Sequence, residues 1–273
     1  MIIMYYKQPK IWVYTLCYNE MKILPYIVKY WQKYADKVVV YDNGSTDGSQ
    51  EFLNQFDFIE LRHFDTHNEF NDLFNKLIKN EAWKEARDRD VDFVQVSDLD
   101  EVLYSPLSIK DICSSFIANN IDVILTNWIE VIAETFPTEI NEEEFHKSKG
   151  LYGNNCGYPD PDRRILGKAK FMLFNPNTIL ESNFNEGSHF SNFIMRYPDT
   201  KPEYAKIDND QLYTLHFDKM GFDYLQYKYS KNCARLSNVN RENHWGFHYS
   251  FNDEQKKKEI DTLMQNKIDI SNL

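Results

Sequence analysis

The sequence predicts an α/β protein with a mostly parallel central sheet and helices on both faces. Short apolar runs rich in Val, Ile and Phe alternate along the first half of the chain with segments of helical apolar spacing. This β-α repetition is typical of parallel sheets. Polar and acidic residues follow three of the apolar runs directly, so we expect them to share one edge of the sheet.

Each of the first four predicted strands is followed by a predicted helix. The pairs are strand 11–16 with helix 20–34, strand 37–41 with helix 46–55, strand 58–63 with helix 69–88, and strand 91–97 with helix 108–119, before a strand at 121–128. In the first helix, Leu24, Ile27, Val28 and Trp31 recur at helical spacing, and Asn19 is the expected N-cap. In the third helix an apolar stripe is expected to pack in the core, and it consists of Phe70, Leu73, Phe74, Leu77 and Ile78.

The regular pattern ends after Trp128. Residues 134–165 form a long irregular segment, which we interpret either as a loop covering an acceptor or as a solvated surface excursion. Residues 168–174 then predict a strand that runs antiparallel to the others. Four basic residues lie nearby, where they would offset diphosphate charge or line a solvated turn: Arg163, Arg164, Lys168 and Lys170.

We expect one domain over residues 1–236 and a C-terminal aromatic and helical extension over residues 237–273 that packs on it. A charged helix is predicted at 253–265. The apolar residues on one of its sides are Ile260, Leu263 and Met264.

The composition limits the classes of function. Asp and Glu outnumber Lys and Arg by 42 to 31, for a net charge of -11, and such an acidic chain is a poor nucleic-acid binder. The four cysteines are scattered and indicate neither a zinc site nor disulfides, as in the reducing cytosol. No apolar run has the length of a membrane span, and the N-terminal apolar stretch is shorter than a signal peptide requires. We therefore expect a cytoplasmic protein.

Polar loops follow the first two predicted strands. Residues 17–20 are Cys-Tyr-Asn-Glu, and residues 42–49 are Asp-Asn-Gly-Ser-Thr-Asp-Gly-Ser. Turns at the carboxyl ends of parallel strands are where open α/β sheets bind nucleotides. The second loop is not a phosphate loop, because it lacks the Gly-Lys-Ser/Thr ending.

An acidic cluster follows the strand at 91–97. Asp98 and Asp100 are two positions apart, so their carboxylates would point the same way if the strand continued. Two converging carboxylates repel each other unless a cation lies between them, and hard oxygen ligands favour Mg²⁺ or Mn²⁺. The alternative is a solvated acidic turn.

Together, these three segments resemble the family 2 glycosyltransferases of the GT-A fold, and within them the branch whose metal motif is Asp-x-Asp-Glu. The resemblance is close over about residues 10–128 and looser to about residue 236. It implies the GT-A fold of enzymes that use nucleotide-diphosphate sugars. In that family the two polar loops bind the nucleotide, and the Asp-x-Asp motif binds the ribose and the metal.

The resemblance implies a set of site residues. The expected nucleotide-binding residues are Cys17, Asn19, Glu20, Asp42, Asn43, Ser45 and Asp98. Lys170 is added as a partner of the diphosphate. The expected metal ligands are Asp98, Asp100 and His216, which would hold Mn²⁺ or Mg²⁺, and Glu101 is expected to orient the turn.

His216 owes its role to the resemblance, because relatives have a Leu-His-Tyr/Phe step after the sheet and residues 215–217 are Leu-His-Phe. A core histidine is the alternative. The general base that an inverting enzyme needs is expected at His189, with Glu186 as the second candidate. The acidic pair usual in family 2 is missing here.

The expected function is metal-dependent transfer of a sugar, with inversion, from a nucleotide-diphosphate donor to a hydroxyl of a glycan or lipid-linked saccharide. A uridine diphosphate sugar is the favoured donor, and peripheral membrane contact is compatible with a lipid-linked acceptor. Two alternatives stay open, a sugar nucleotidyltransferase and a non-catalytic binding module of the same fold. Nothing in the sequence specifies an oligomeric state.

Overall fold

A ten-stranded mixed sheet lies at the centre of the computed structural model, which describes residues 8–154, 169–186, 191–206 and 211–273. The strands in chain order are β1 (Ile11–Cys17), β2 (Lys37–Asp42), β3 (Ile59–His63), β4 (Phe93–Val96), β5 (Glu101–Tyr104), β6 (Val123–Ala133), β7 (Tyr152–Asn154), β8 (Ala169–Phe174), β9 (Ile179–Glu181), β10 (Ile194–Met195), β11 (Tyr204–Lys206) and β12 (Tyr213–Met220). Strands β9 and β10 form a separate antiparallel pair.

The order across the sheet is β3-β2-β1-β4-β8-β6-β12-β5, and β7 and β11 pair with β6 beside this path. Strands β5, β7 and β8 run against the other strands, so the sheet is mostly parallel, as predicted. Strand β8 lies between β4 and β6 and is antiparallel to both, which confirms the direction expected for residues 168–174.

Helices cover both faces of the sheet. They are α1 (Leu24–Tyr34), α2 (Ser49–Leu53), α3 (Asp72–Glu81), α4 (Ile109–Ala118), α5 (Phe222–Arg235), α6 (Asn238–Glu242) and α7 (Asp253–Met264). Alternate residues of β1 enter different cores, because successive side chains of a strand point to opposite faces. Val13 packs on the face covered by α1 and its Trp31, whereas Tyr14 packs on the other face with Trp83. The predicted mixed α/β architecture is therefore confirmed.

The first helix begins later than the sequence predicts. Helix α1 starts at Leu24 and not at residue 20, with Ile23 at the N-cap and Pro25 in the first turn. Proline suits that position because its missing N–H is not needed there. Asn19 is not the N-cap. Its backbone is left-handed, with φ of 52°, and it belongs to the loop after β1.

The apolar stripe predicted for helix α3 is not part of the core. Leu73, Phe74 and Leu77 are 44–57% exposed. The opposite side of this segment is buried instead. Lys79 pairs with a carboxylate there, and Trp83, in the 3₁₀ turn that follows, packs edge-on against the ring of Phe174. Helical spacing identified the helix, but an ion pair decides which side faces inward.

The C-terminal segment packs on the rest of the chain. Ile260 of α7 lies against Leu225 and Tyr229 of α5, as expected for the apolar side of that helix. Ile270 is buried in the same core as β1 and α1. The backbones of Ile268 and Gly153 exchange two hydrogen bonds. The domain boundary at residue 236 stays a prediction.

The described part of the irregular segment is anchored in the core. Within residues 134–154, Phe145 and His146 are buried, and the Phe145 ring stacks on Tyr26 with 4.1 Å between centroids. Phe145 and His146 are therefore held in the core, whereas residues 141–143 before them are exposed. Residues 155–168, which include Arg163, Arg164 and Lys168, lie outside the described residues.

His146 is held in a neutral state. The Tyr30 hydroxyl accepts a hydrogen bond from the backbone N–H of His146 and lies 2.7 Å from its Nδ1, and Nε2 has no hydrogen-bond partner among the described residues. A charge on this ring would be buried, and the nearby Glu144 carboxylate does not offset that cost. Burial therefore lowers the pKa of His146 to about 3.

This buried imidazole predicts a loss of stability in acid. An unfolded histidine has a pKa of about 6.5. Below that pH the unfolded chain therefore binds a proton at this residue, whereas the folded chain does not. The free energy of unfolding should fall by about 2 kcal/mol between pH 7 and pH 5 from this residue alone. Urea unfolding of His146→Phe at both values should show a pH dependence smaller by that amount.

The control is His67→Gln, because the side chain of His67 is 94% exposed. This variant should keep the wild-type pH dependence. Identical pH dependence in His146→Phe and the wild type would show that His146 does not resist protonation.

Candidate active site

The loops after β1 and β2 are locked together at the carboxyl edge of the sheet. Ser45 Oγ accepts a hydrogen bond from the Asn19 N–H at 2.8 Å, and Asn19 Oδ1 accepts one from the Thr46 N–H at 2.7 Å. The Met21 N–H donates to Asp47 Oδ2 at 2.9 Å. These loops adjoin because β1 and β2 are parallel neighbours whose carboxyl ends meet.

Asp42 organises its own loop. The side chain is 0% exposed, and its Oδ1 accepts hydrogen bonds from the N–H groups of Gly44 and Ser45 and from Gln50 Nε2. Ser45 Oγ donates to the other oxygen. The Asp42 carboxylate, which was expected to contact the nucleotide, therefore makes its hydrogen bonds within its own turn.

Cys17 and Asn43 lie beneath the same loops. The Cys17 thiol is buried, 3.8 Å from Ser45 Oγ, and burial raises the pKa of this thiol far above its usual range. Asn43 uses its side-chain amide to hold Thr66, to which Nδ2 donates at 2.9 Å. Both residues are at the predicted edge, and both are held by protein partners.

Glu20 is paired with a lysine from α5. Lys231 Nζ donates to Glu20 Oε1 at 2.6 Å and also to the backbone carbonyls of Tyr18 and Asn19. Burial raises the pKa of Glu20 although Lys231 opposes the shift. The first loop is thus attached to helix α5, which comes more than 200 residues later.

The acidic segment after β4 is a turn and not a continuing strand. Strand β4 ends at Val96, and β5 begins at Glu101. Asp98 and Asp100 therefore do not point the same way as strand neighbours. Asp98 Oδ1 accepts from Lys79 Nζ at 2.6 Å, and its N–H donates to Glu101 Oε2 at 3.1 Å. Glu101 orients the turn, as the resemblance implied.

Asp100 lies instead beside the middle of β12. The N–H of Phe217 donates to the Asp100 carbonyl at 2.9 Å, because β5 pairs antiparallel with β12. One oxygen or nitrogen atom from each of Asp100, His216 and Asp218 lies within 4.8 Å of the others. His216 Nε2 is 3.6 Å from Asp100 Oδ2. We call Asp100, His216 and Asp218 the Asp-His-Asp cluster.

Strand β12 bulges at this point. His216 pairs with Glu130 of β6 and Lys219 pairs with Ile132, so two residues of β12, Phe217 and Asp218, lie opposite one of β6. Bulges re-aim side chains and are common beside functional sites. This one puts Asp218 in the cluster.

Two observations show that the Asp-His-Asp cluster suits a cation. The Lys228 ammonium of α5 already contacts the carboxylates of both Asp100 and Asp218. Glu130 Oε2 accepts a hydrogen bond from His216 Nδ1 at 2.9 Å, and the buried Oε1 of Glu130 has no hydrogen-bond partner among the described residues. Two carboxylates and an imidazole are also a donor set that Mn²⁺ accepts.

The charge state of His216 is set by its neighbours. Burial alone lowers the pKa of this imidazole, but the carboxylates of Glu130 and Asp100 outweigh burial and raise it to about 9. The Lys219 and Lys228 ammonium groups oppose the effect of burial on Asp218 and hold its pKa well below the usual range. Two lysines, Lys219 and Lys228, and the His216 imidazole thus surround the carboxylates of the cluster.

The structure thus brings together part of the predicted metal site and adds to it. Asp100 and His216 are adjacent as predicted, whereas Asp98 pairs with Lys79 outside the cluster. Asp218 was missed, although its spacing of two from His216 on one strand was visible in the sequence. No local pattern indicated Lys228.

The remaining predicted residues are placed as follows. Glu186 forms an ion pair with Lys76 at 2.6 Å, which lowers the pKa of the Glu186 carboxyl. His189 lies outside the described residues. The backbone of Lys170 is in β8, paired with Thr126, and its side chain is outside the description. The roles of all three stay predictions.

Comparison with known proteins gives a fold-level likeness at most. No family model matches the chain, and no curated protein matches it. Among solved structures, the mannosyltransferase Ktr4p from S. cerevisiae is similar over 48% of this chain and 41% of that chain, with 10% identity and a TM-score of 0.25. The match spans less than half of the mannosyltransferase, and no residue role is transferred from it.

Among the described residues, no helix combines the length and the apolar character needed to cross a membrane.

Because Ser45 links the two loops, we predict that its hydroxyl contributes to the free energy of unfolding. Ser45→Ala removes the acceptor of the Asn19 N–H and a donor to the buried Asp42 carboxylate. We expect a loss of about 1–3 kcal/mol in the free energy of unfolding, measured by urea denaturation.

Thr46→Ala is the matched control, because Thr46 is the next residue and its side chain is exposed. It should cost less than about 0.5 kcal/mol. Equal losses in the two variants would mean that the Ser45 hydroxyl does not hold the loops.

Proposed function

We propose that this protein is a metal-dependent glycosyltransferase that uses a nucleotide-diphosphate sugar, with a uridine diphosphate sugar as the favoured donor. The observation that carries the proposal is the Asp-His-Asp cluster at the carboxyl edge of the sheet, beside the locked loops after β1 and β2. Open α/β sheets bind nucleotides at this edge. The acceptor is proposed to be a hydroxyl of a glycan or of a lipid-linked saccharide.

In this proposal some residues bind the metal and others hold the loops and the turn in place. Asp100, His216 and Asp218 would hold Mn²⁺ or Mg²⁺, and a bound divalent ion neutralises charge that develops on a diphosphate leaving group. Asp42, Ser45 and Asn19 keep the nucleotide loops in place, since their polar groups are used within the protein. Glu101 holds the turn that carries Asp100.

A panel of nucleotide-diphosphate sugars tests this function. The full chain is incubated with each donor and a mixture of candidate acceptors, with Mn²⁺, with Mg²⁺ or with a chelator, and release of nucleoside diphosphate is measured. We expect release from one donor class that depends on acceptor and is abolished by chelator. Release of pyrophosphate from a sugar phosphate and a nucleoside triphosphate would identify a nucleotidyltransferase instead, and no turnover with any donor would favour a binding module.

Two variants test whether the metal binds at the Asp-His-Asp cluster. Asp100→Asn keeps the size of a cluster member but removes its charge, so Mn²⁺-dependent binding of the nucleotide should weaken by about tenfold or more. Asp98→Asn should be milder, because Asp98 pairs with Lys79 outside the cluster. Unchanged metal dependence in Asp100→Asn would remove the cluster from the mechanism.

Inversion requires a general base, for which His189 and Glu186 are the proposed candidates. The ion pair with Lys76 makes Glu186 less basic, which supports His189 as the first choice. With saturating donor, His189→Ala should lose about 10²-fold or more in turnover while donor affinity stays constant. Glu186→Gln is the comparison. Normal turnover in both variants would place the base elsewhere.

A further inference from the structure

Lys228 lies at the proposed metal site, in contact with two of its three groups. Its ammonium contacts Asp218 Oδ1 at 2.5 Å and also contacts Asp100 Oδ2, and only 11% of the side chain is exposed. These are two of the three groups that would hold the metal. An ammonium with two carboxylate partners is therefore a cation that the protein supplies from its own helix α5.

A divalent ion at these carboxylate oxygens would compete with this ammonium. Carboxylate oxygens bind Mg²⁺ at about 2.0–2.1 Å, and the positive ammonium cannot stay in contact with the same oxygens while a second cation binds them. The displaced ammonium would still lie near acidic groups. Glu20 carries a carboxylate near enough to attract Lys228, and Asp218 has a second ammonium partner in Lys219.

We propose that Lys228 is a resident counter-ion that must leave Asp100 and Asp218 before a divalent metal binds. This deepens the proposed function, because it rests on the same metal site, but it does not depend on sugar transfer. Lys228 keeps the two carboxylates from repelling each other while the metal is absent. It also sets the metal affinity, since every binding event includes the breaking of two ion pairs.

The test is a titration of the full chain with Mn²⁺, in which free Mn²⁺ is followed by electron paramagnetic resonance without donor or acceptor. Lys228→Met removes the charge and keeps the length of the side chain. We expect its dissociation constant for Mn²⁺ to fall about tenfold or more, because the ion then no longer competes with the Lys228 ammonium for Asp100 and Asp218. Lys228→Arg keeps a competing cation and should stay within about threefold of the wild type.

Lys256→Met is the matched control. Lys256 is also a buried lysine paired with an aspartate, Asp253, but it lies in α7 outside the cluster. It should leave Mn²⁺ affinity unchanged. Equal or weaker Mn²⁺ binding by Lys228→Met would overturn the proposal, as would the absence of Mn²⁺ binding by every variant.

A measurement on the wild-type chain covers the case in which Lys228→Met does not fold. Acetylation of lysines by an amine-reactive ester is followed by mass spectrometry, with and without Mn²⁺. Mn²⁺ should speed the acetylation of Lys228 several-fold and leave Lys256 unchanged, and an unchanged rate at Lys228 would overturn the proposal. If Mn²⁺ displaces Lys228 while the donor panel is negative, only the proposed function fails.

Discussion

Pairing of the carboxylates after β4 with lysines from distant helices is the constraint on which this edge of the sheet depends. Asp98 is paired with Lys79 of α3, and Asp100 is paired with Lys228 of α5. Buried ion pairs add little net stability, because desolvation costs about as much as the attraction returns, but removing one partner leaves an uncompensated charge. These pairs add side-chain contacts to a turn that backbone hydrogen bonds with Tyr14 of β1 and Phe217 of β12 also hold.

The same constraint explains why the sequence predicts the sheet better than the site. Val13, Val38 and Phe93 lie in local apolar runs, and their burial follows from local composition and from period-two alternation. The face of α3 could not be predicted in this way. Its apolar stripe satisfies helical spacing, but Lys79 turns inward to meet Asp98, so Leu77 is exposed.

Long sequence separation explains why the other contacts of the site could not be predicted from the sequence. Asp100 and Lys228 are 128 residues apart, and a lysine in a helix rich in charge looks like any solvated residue until the partner is known. The approach of Asp100 to His216 was predictable only through the family resemblance. Asp218 follows His216 by two positions on one strand, but the bulge of β12 between His216 and Lys219 places it in the cluster, so strand spacing alone did not predict it.

The motif residues therefore fall into two groups by what their polar atoms already touch. The loop residues, such as Asp42 and Ser45, already make hydrogen bonds within the protein. They therefore shape the surface but have few polar atoms left to contact a ligand. The Asp-His-Asp cluster beside β12 is the opposite case. Its two carboxylates contact the Lys228 ammonium, which a metal replaces in our proposal, and Glu130 beside it has a buried oxygen with no hydrogen-bond partner among the described residues. A buried polar atom without a partner is costly to the fold. The proposed metal chemistry of this edge therefore depends on the strand that sequence motifs described least.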